Sequence, residues 1–149
     1  MKKYMWIIAT VVLCAALVYG ATVGTYTVTK HTRNVQKITE TAINIITAAT
    51  VFERKVNCTS WTLWVNNTGD AALTDLDIYG YVDVTAEYEL VDNAGSFAGI
   101  DQYGCSDTLA TGSACIVVNQ SDICFGEILV SATASTSAEL SFTLLEKVE

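Results

Sequence analysis

The chain has 149 residues and a formal net charge of −8, and 51% of its residues are hydrophobic. This length allows one domain plus an anchoring segment, and the hydrophobic content excludes general disorder. Residues 1–55 carry a net charge of +5 and residues 56–149 a net charge of −13. The larger part therefore lacks the clustered Lys and Arg that bind phosphate, and we expect no nucleic-acid partner.

The first predicted element is a hydrophobic helix. Residues 4–29 contain no charged side chain, and Lys2 and Lys3 precede them. About twenty apolar residues can span a bilayer as a helix, and basic residues before it direct the following chain outward. A cleaved signal peptide fits the same pattern, with Gly20 and Ala21 as the small residues near the cleavage site.

The segment that follows is ambiguous between helix and strand. Residues 25–29 fit either the end of a membrane helix or an extended strand. Residues 34–43 place apolar side chains on one helical stripe, which predicts a stalk, and residues 43–52 favour a strand. We therefore predict a hydrophobic helix and stalk over residues 1–42, serving as membrane anchor, filament core helix or signal. Residues 43–149 are predicted to form an extracellular β-sandwich domain.

The acidic part consists of short alternating or β-branched apolar runs, separated by clusters of Gly, Ser, Asn and Asp. Such runs predict strands, and the clusters predict turns. The predicted strands are residues 61–65, 73–84, 88–91, 114–119, 126–134 and 138–145. Their number and spacing favour an all-β antiparallel sandwich of Ig-like or jelly-roll-like type. The largest expected core side chains are Trp61, Trp64, Phe97, Phe125 and Phe142.

The cysteines indicate disulfides. Cys14 lies in the hydrophobic stretch, and four more lie in the acidic part: Cys58, Cys105, Cys115 and Cys124. No two have the close spacing of a zinc site, so no metal is expected. Four cysteines allow three pairings, and two disulfides formed in an oxidising compartment are the preferred interpretation. Free thiols in a cytosolic protein are the alternative.

The sequence of the domain lacks the usual catalytic constellations. His31 is the one histidine and precedes the domain, so no Ser-His-Asp group can form there. Asp75 and Asp77 would project from one side of a strand and could bind calcium with Asp83 or Asp92. A solvated polar face is the favoured interpretation, because the chain has no twelve-residue calcium loop. We predict no enzymatic activity, no catalytic residue and no cofactor.

Three Asn-x-Ser/Thr sequences are candidate glycosylation sites in an exported chain: Asn57, Asn66 and Asn119. Asn66 lies at a predicted turn and is the best placed of the three.

Together these features resemble the archaeal flagellin (archaellin) and pilin-like superfamily, including the membrane-anchored stator-type proteins of the archaellum. The resemblance is carried by the strand and turn of residues 63–70, the strand of residues 76–79, and the closing pair 126–130 and 138–142. It implies an N-terminal helix that leads into a β-sandwich. The chain departs from filament-forming members because no leader ending in Gly precedes the hydrophobic stretch, which favours an unprocessed anchor or general export.

The leading functional prediction is a structural subunit of an extracellular surface filament, or its membrane-anchored support protein, acting by helix packing and strand pairing. Its partners would be further copies of itself or an envelope or filament protein. One alternative is a membrane-tethered extracellular binding module for a glycan, a cation or an envelope layer. Another is a secreted fibre subunit that lends residues 25–35 to its neighbour. Each places the protein at the cell surface, anchored in or exported across the cytoplasmic membrane.

Overall fold

The fold consists of β-strands throughout the residues that our computed structural model describes, which are 22–23, 27–32, 35–56, 60–83, 86–91, 99–120 and 124–147. The strands are β1 (Thr22–Val23), β2 (Thr27–Thr32), β3 (Val35–Ile45), β4 (Ala49–Lys55), β5 (Trp61–Asn67), β6 (Leu73–Asp83), β7 (Ala86–Glu89), β8 (Ile100–Tyr103), β9 (Ala114–Asn119), β10 (Glu127–Ala134) and β11 (Ala138–Lys147). Within these ranges, no helix has the length and apolar character needed to cross a membrane.

The strands form two antiparallel sheets. The seven-stranded sheet has the order β1-β3-β11-β5-β9-β8, and β2 also pairs with β3. The four-stranded sheet has the order β4-β10-β6-β7. The chain changes sheet six times, between β3 and β4, β4 and β5, β5 and β6, β7 and β8, β9 and β10, and β10 and β11. The predicted all-β antiparallel sandwich is confirmed at this level of description.

Alternating side chains on the inner faces of both sheets form the core. Strand β10 buries every second residue from Ile128 to Ala134, and β11 does so from Ala138 to Glu146. Phe52 of the smaller sheet stacks on Phe142 of the larger one, with ring centroids 5.0 Å apart. Burial of an apolar side chain of this size stabilises the fold by roughly 1.5–3 kcal/mol.

A buried ion pair joins the two sheets beside this aromatic contact. The Arg54 Nη2 atom donates to Glu40 Oε2 at 2.5 Å, and the side chains of Arg54 and Glu40 are 27% and 3% exposed. Burial raises the pKa of Glu40 above its usual value, and the charge of Arg54 opposes that rise. The Arg54 guanidinium also lies 5.7 Å from the centroid of the Phe52 ring.

The buried Asn67 side chain fixes the turn after β5. Its Nδ2 atom donates to the carbonyl oxygens of Ala71 at 2.8 Å and Leu109 at 3.1 Å. Its Oδ1 atom accepts from the Gly69 amide at 3.2 Å. These bonds satisfy a fully buried amide and hold two loops together at one end of the sandwich.

The helical stalk predicted over residues 34–43 is wrong, because β3 occupies Val35–Ile45. The apolar residues Ile38 and Ala42 face the core from a strand. Strand β11 pairs with β3 along its whole length, and this tertiary pairing overrides the weak helical periodicity. Of the hydrophobic stretch at residues 4–29, residues 4–21 lie outside the described residues, and the helix expected there stays a prediction. Residues 22–23 and 27–29 belong to strands β1 and β2.

The strand predicted over residues 43–52 is interrupted. Strand β3 ends at Ile45 and β4 begins at Ala49. Asn44 has a φ of 58°, a left-handed conformation that Asn tolerates better than most residues. This local distortion lies where the chain leaves one sheet for the other.

The core prediction is correct for Trp61, Phe125 and Phe142, which are buried. It is wrong for Trp64, whose side chain is 48% exposed. Phe97 lies outside the described residues. The sequence interpretation also missed β8, because its four residues show no clear alternation.

We expect removal of one partner of the inter-sheet ion pair to lower the free energy of unfolding more than removal of both partners. Arg54→Met should destabilise the fold by about 2 kcal/mol, since it leaves the buried Glu40 carboxylate unpaired while partial exposure of the site limits the loss. The double variant Glu40→Leu with Arg54→Met should lie within about 1 kcal/mol of the wild type. Urea unfolding of both variants measures the difference. Lys55→Met, at an exposed neighbouring cation, is the control, and a double variant less stable than Arg54→Met would contradict the expectation.

We also expect Gly80→Ala to destabilise the core. A Cβ atom at Gly80 would lie 2.6 Å from the Phe125 ring, which is fully buried. The resulting overpacking should cost about 1–3 kcal/mol. Gly126→Ala is a matched control, because a Cβ atom there meets nothing within 4 Å. Thermal unfolding should show a lower melting temperature for Gly80→Ala alone, and equal melting of the two variants would refute the packing argument.

Candidate binding face

The outer side of the seven-stranded sheet exposes an aromatic and hydroxyl-rich surface around Trp64. Strand β5 buries Trp61, Leu63 and Val65, so the side chains between them, including Trp64, point away from the core. Neighbouring strands continue this surface in register. We define the Trp64 face as the outward side chains of Thr39, Thr41, Thr62, Trp64, Asn66, Tyr103, Ile116, Val118, Ser141 and Thr143.

One cross-strand row runs through the centre of the Trp64 face. Thr143 lies opposite Trp64, Trp64 opposite Ile116, and Ile116 opposite Tyr103. Directly opposed residues project from the same side of a sheet. The backbones at Trp64 and Tyr103 are therefore about 10 Å apart, two strand spacings. Their side chains are 48% and 56% exposed.

A shallow depression of about 200 Å³ lies beside the Trp64 indole. Its other lining residues are Asn66, Ser141 and Thr143. Hydroxyl groups donate and accept hydrogen bonds, and a side-chain amide does both through separate atoms. The depression therefore combines one large apolar ring with several neutral hydrogen-bonding groups.

The central rows of the Trp64 face carry no charge among the described residues. The row through Asn66 contains Thr41, Ser141 and Ala114, and the row through Trp64 is equally neutral. The flanking rows are charged: Lys37 and Asp101 lie in one, and the exposed Glu139 of β11 lies in the other. This neutrality stands out in a chain with a net charge of −8.

A disulfide fixes the strand that carries Tyr103. Cys105 and Cys115 are bonded, and Cys115 is the β9 residue next to Ile116. Gly104 between Tyr103 and Cys105 has a φ of 67°, and a Cβ atom there would lie 2.6 Å from the Ala114 carbonyl oxygen. Only glycine fits this position without strain. The disulfide thus joins the chain just after Tyr103 to the neighbouring strand β9.

The other predicted cysteines are only partly described. Cys124 is also disulfide-bonded. Cys58 and Cys14 lie outside the described residues, so the second pairing stays open between the two.

The three predicted glycosylation sites have different surroundings. Asn66 is half-buried and lines the depression beside Trp64. Asn119 is fully buried, and a glycan on it stays a prediction. Its side chain faces the core at the end of β9, where alternation directs it inward. Asn57 lies outside the described residues.

The carboxylates considered for calcium lie on the outer side of the smaller sheet. Partial burial raises the pKa of Asp77, the negative charge of Asp75 raises it further, and Asp107 adds a smaller rise, while a hydrogen bond from Tyr79 opposes them. In the part of the chain that the structure describes, no group of three or more His, Cys, Asp or Glu side chains could hold a metal ion. The side chain of Asp83 and all of Asp92 lie outside that part.

Sequence reasoning assigned Trp64 to the core and did not single out Tyr103. The alternation of residues 61–65 contained the signal for Trp64, because Trp61 and Trp64 cannot face the same side of a regular strand. For Tyr103 no local signal exists, since its place beside Ile116 depends on a pairing between distant strands.

No protein-family model matches the chain, and no curated protein matches it. Among solved structures, the chain is similar to a cupin domain from Bordetella pertussis. The two are 12% identical, the match covers 87% of this chain and 95% of the other, and the TM-score is 0.29. A likeness at this level carries no argument about activity.

The predicted membership of the archaellin and pilin-like superfamily is wrong, since the stalk residues 35–45 form a strand and the described residues contain strands without a helix. The residues that carried the resemblance form generic strands and turns. The expected closing pair is not a hairpin, because β10 pairs with β4 and β6 whereas β11 pairs with β3 and β5.

The filament functions are corrected with it. Both filament roles depended on packing through an N-terminal helix and stalk, and the stalk is not formed, because Val35–Ile45 is strand β3. Donor-strand exchange through residues 25–35 also fails, because β2 within that segment pairs with β3 of the same chain.

We expect Asp77→Asn to stabilise the protein at neutral pH. The folded-state pKa of Asp77 is raised, so the folded state holds this proton more tightly than the unfolded state. Stability from this group is present below the unfolded pKa of about 3.9 and is lost as the pH rises through the folded pKa. The variant should therefore unfold at higher urea concentration at pH 7 and match the wild type near pH 3. Asp70→Asn, at an exposed loop residue, is the control, and a destabilised Asp77→Asn at pH 7 would contradict this sign.

Proposed function

We propose that this chain is a non-catalytic binding module that holds a neutral glycan on the Trp64 face. The observation that carries the proposal is an exposed indole beside a depression lined by hydroxyl and amide groups, on a sheet face whose central rows are uncharged.

Sugar rings match this combination of groups. One side of a pyranose ring presents C–H bonds, which pack against the electron-rich face of an indole. Its hydroxyl groups lie around the rim and can exchange hydrogen bonds with Ser141, Thr143 and Asn66. Binding sites of this kind combine an apolar surface with a few polar groups that fix orientation.

The backbone under the Trp64 face favours binding without rearrangement. Trp64 lies on β5, which is paired on both sides by β11 and β9. A side chain on a central strand loses little backbone freedom when a ligand binds, so less of the binding free energy is spent on ordering.

The distribution of titratable groups supports binding over catalysis. The pKa is raised at Glu40, which lies between the sheets, and at Asp77, which lies on the other sheet. Neither borders the depression beside Trp64. Perturbed groups are typical of catalytic sites, and within the described residues these two lie apart from the proposed ligand.

The proposal places the domain outside the cytoplasm. The Cys105–Cys115 disulfide and the disulfide-bonded Cys124 support an oxidising compartment. The predicted hydrophobic helix over the start of the chain, retained or cleaved, would deliver it there. The Ig-like or jelly-roll-like type of the sandwich is part of the same proposal.

Replacement of Trp64 by alanine should strongly weaken glycan binding. We expect the wild type to be retained by insoluble cellulose or chitin, or retarded in gels that contain a neutral polysaccharide such as xylan or mannan. Trp64→Ala should weaken this interaction at least tenfold, because it removes the stacking surface, whereas Trp64→Phe should keep part of it. Since Trp64 is exposed, the variant should unfold within about 0.5 kcal/mol of the wild type.

The control is Val82→Ala, which changes an exposed apolar side chain on the other sheet. It should bind as the wild type does. Wild-type protein that interacts with none of these polysaccharides, or a Trp64→Ala variant that binds them equally well, would refute the proposed function.

A further inference from the structure

We infer that the ligand is an extended, unbranched β-linked chain of neutral sugars that lies across the strands. One sugar unit stacks on Trp64, and the second unit after it stacks on Tyr103. This inference rests on the proposed function and adds the class of glycan and its direction.

The spacing of the two rings supports this arrangement. Trp64 and Tyr103 are the exposed aromatic side chains of one cross-strand row, separated by the β9 residue Ile116. Two strand spacings place their backbones about 10 Å apart, and both side chains project from the same side of the sheet. In an extended β-1,4-linked chain, alternate units present the same ring face and repeat over a similar distance.

The protein surface between the two rings can accommodate the sugar unit that connects the two stacked units. Ile116 is half-buried, so it leaves a low apolar surface between the two aromatic side chains. On the far side of Trp64 the row continues through Thr143 and Thr39, which offer hydroxyl groups. A linear chain can therefore cross five strands without meeting a charged group in this row.

The charge near Tyr103 restricts the class of ligand. Asp101 is exposed and lies two residues before Tyr103 in β8, so the two side chains share one side of the strand. Its carboxylate, in a chain with a net charge of −8, would repel a uronate or sulfated chain. Neutral units such as glucose or N-acetylglucosamine are compatible with this surface.

The Cys105–Cys115 disulfide acts here as a positioning element. It lies two residues after Tyr103 and one residue before Ile116, and the Cys105 Sγ atom is 3.5 Å from the Ile116 carbonyl oxygen. The bond therefore holds the short strand β8 at a fixed distance from β9. A fixed distance between the two rings is what a repeating ligand requires.

The test is a length series. Isothermal titration with β-1,4-linked oligomers of glucose and of N-acetylglucosamine, from two to six units, measures affinity against chain length. For the series that binds, we expect about a tenfold gain between two and four units, because the longer chain reaches the second ring. Tyr103→Ala should abolish this gain and leave the affinity for the shortest oligomer unchanged. Tyr103→Phe, which keeps the ring, should retain the gain.

Removal of the disulfide provides a second test. The double variant Cys105→Ala with Cys115→Ala, shown to be folded by its unfolding transition, should lose most of the length-dependent gain. A full gain in this variant would overturn the positioning role of the disulfide.

The outcomes separate this inference from the proposed function. Binding that requires Trp64 but does not strengthen with length, or that Tyr103→Ala weakens equally for short and long oligomers, would overturn the inference and leave the function intact. Trp64-dependent binding confined to α-linked polysaccharides would do the same. A wild-type protein that binds no oligomer and no polysaccharide would overturn both.

Discussion

Strands β5 and β11 lie side by side in the middle of the larger sheet, paired from Leu140 opposite Asn67 to Glu146 opposite Trp61. Both alternate strictly, so one set of side chains enters the core and the other set remains outside. A shift of register by one residue would move Phe142 to the solvent side and Thr143 into the core. The burial of this inward set therefore also determines which side chains the outer face presents.

The two sheets differ in how they meet water. The larger sheet has an outer face whose central rows are neutral and carry two exposed rings, whereas the smaller sheet carries Asp75 and Asp77 on its outer side. Like charges at close range repel each other. This repulsion occurs on the smaller sheet, away from the proposed ligand. The acidic surface contributes solubility, and the neutral surface remains available for contact with uncharged groups.

Much of the sandwich could be predicted from the sequence. Strand β9 was predicted with its observed bounds, and β6, β10 and β11 within two residues, because their alternation is strong and turn residues flank them. Strand β3 could not be predicted, since its helical and strand patterns are equally good locally and only its pairing with β11 decides between them. The candidate face needed the same long-range information, because Trp64 and Tyr103 belong to strands that are joined only through β9.

The pairing of β3 with β11 also determines when the domain can fold. Val35 lies opposite Lys147 and Ile45 opposite Ala138, so the larger sheet joins a strand from the first third of the chain to the last described strand. Contacts between such distant segments form late, after the entropy of closing the intervening chain has been overcome. A ribosome must therefore complete synthesis through Lys147 before this sheet can close.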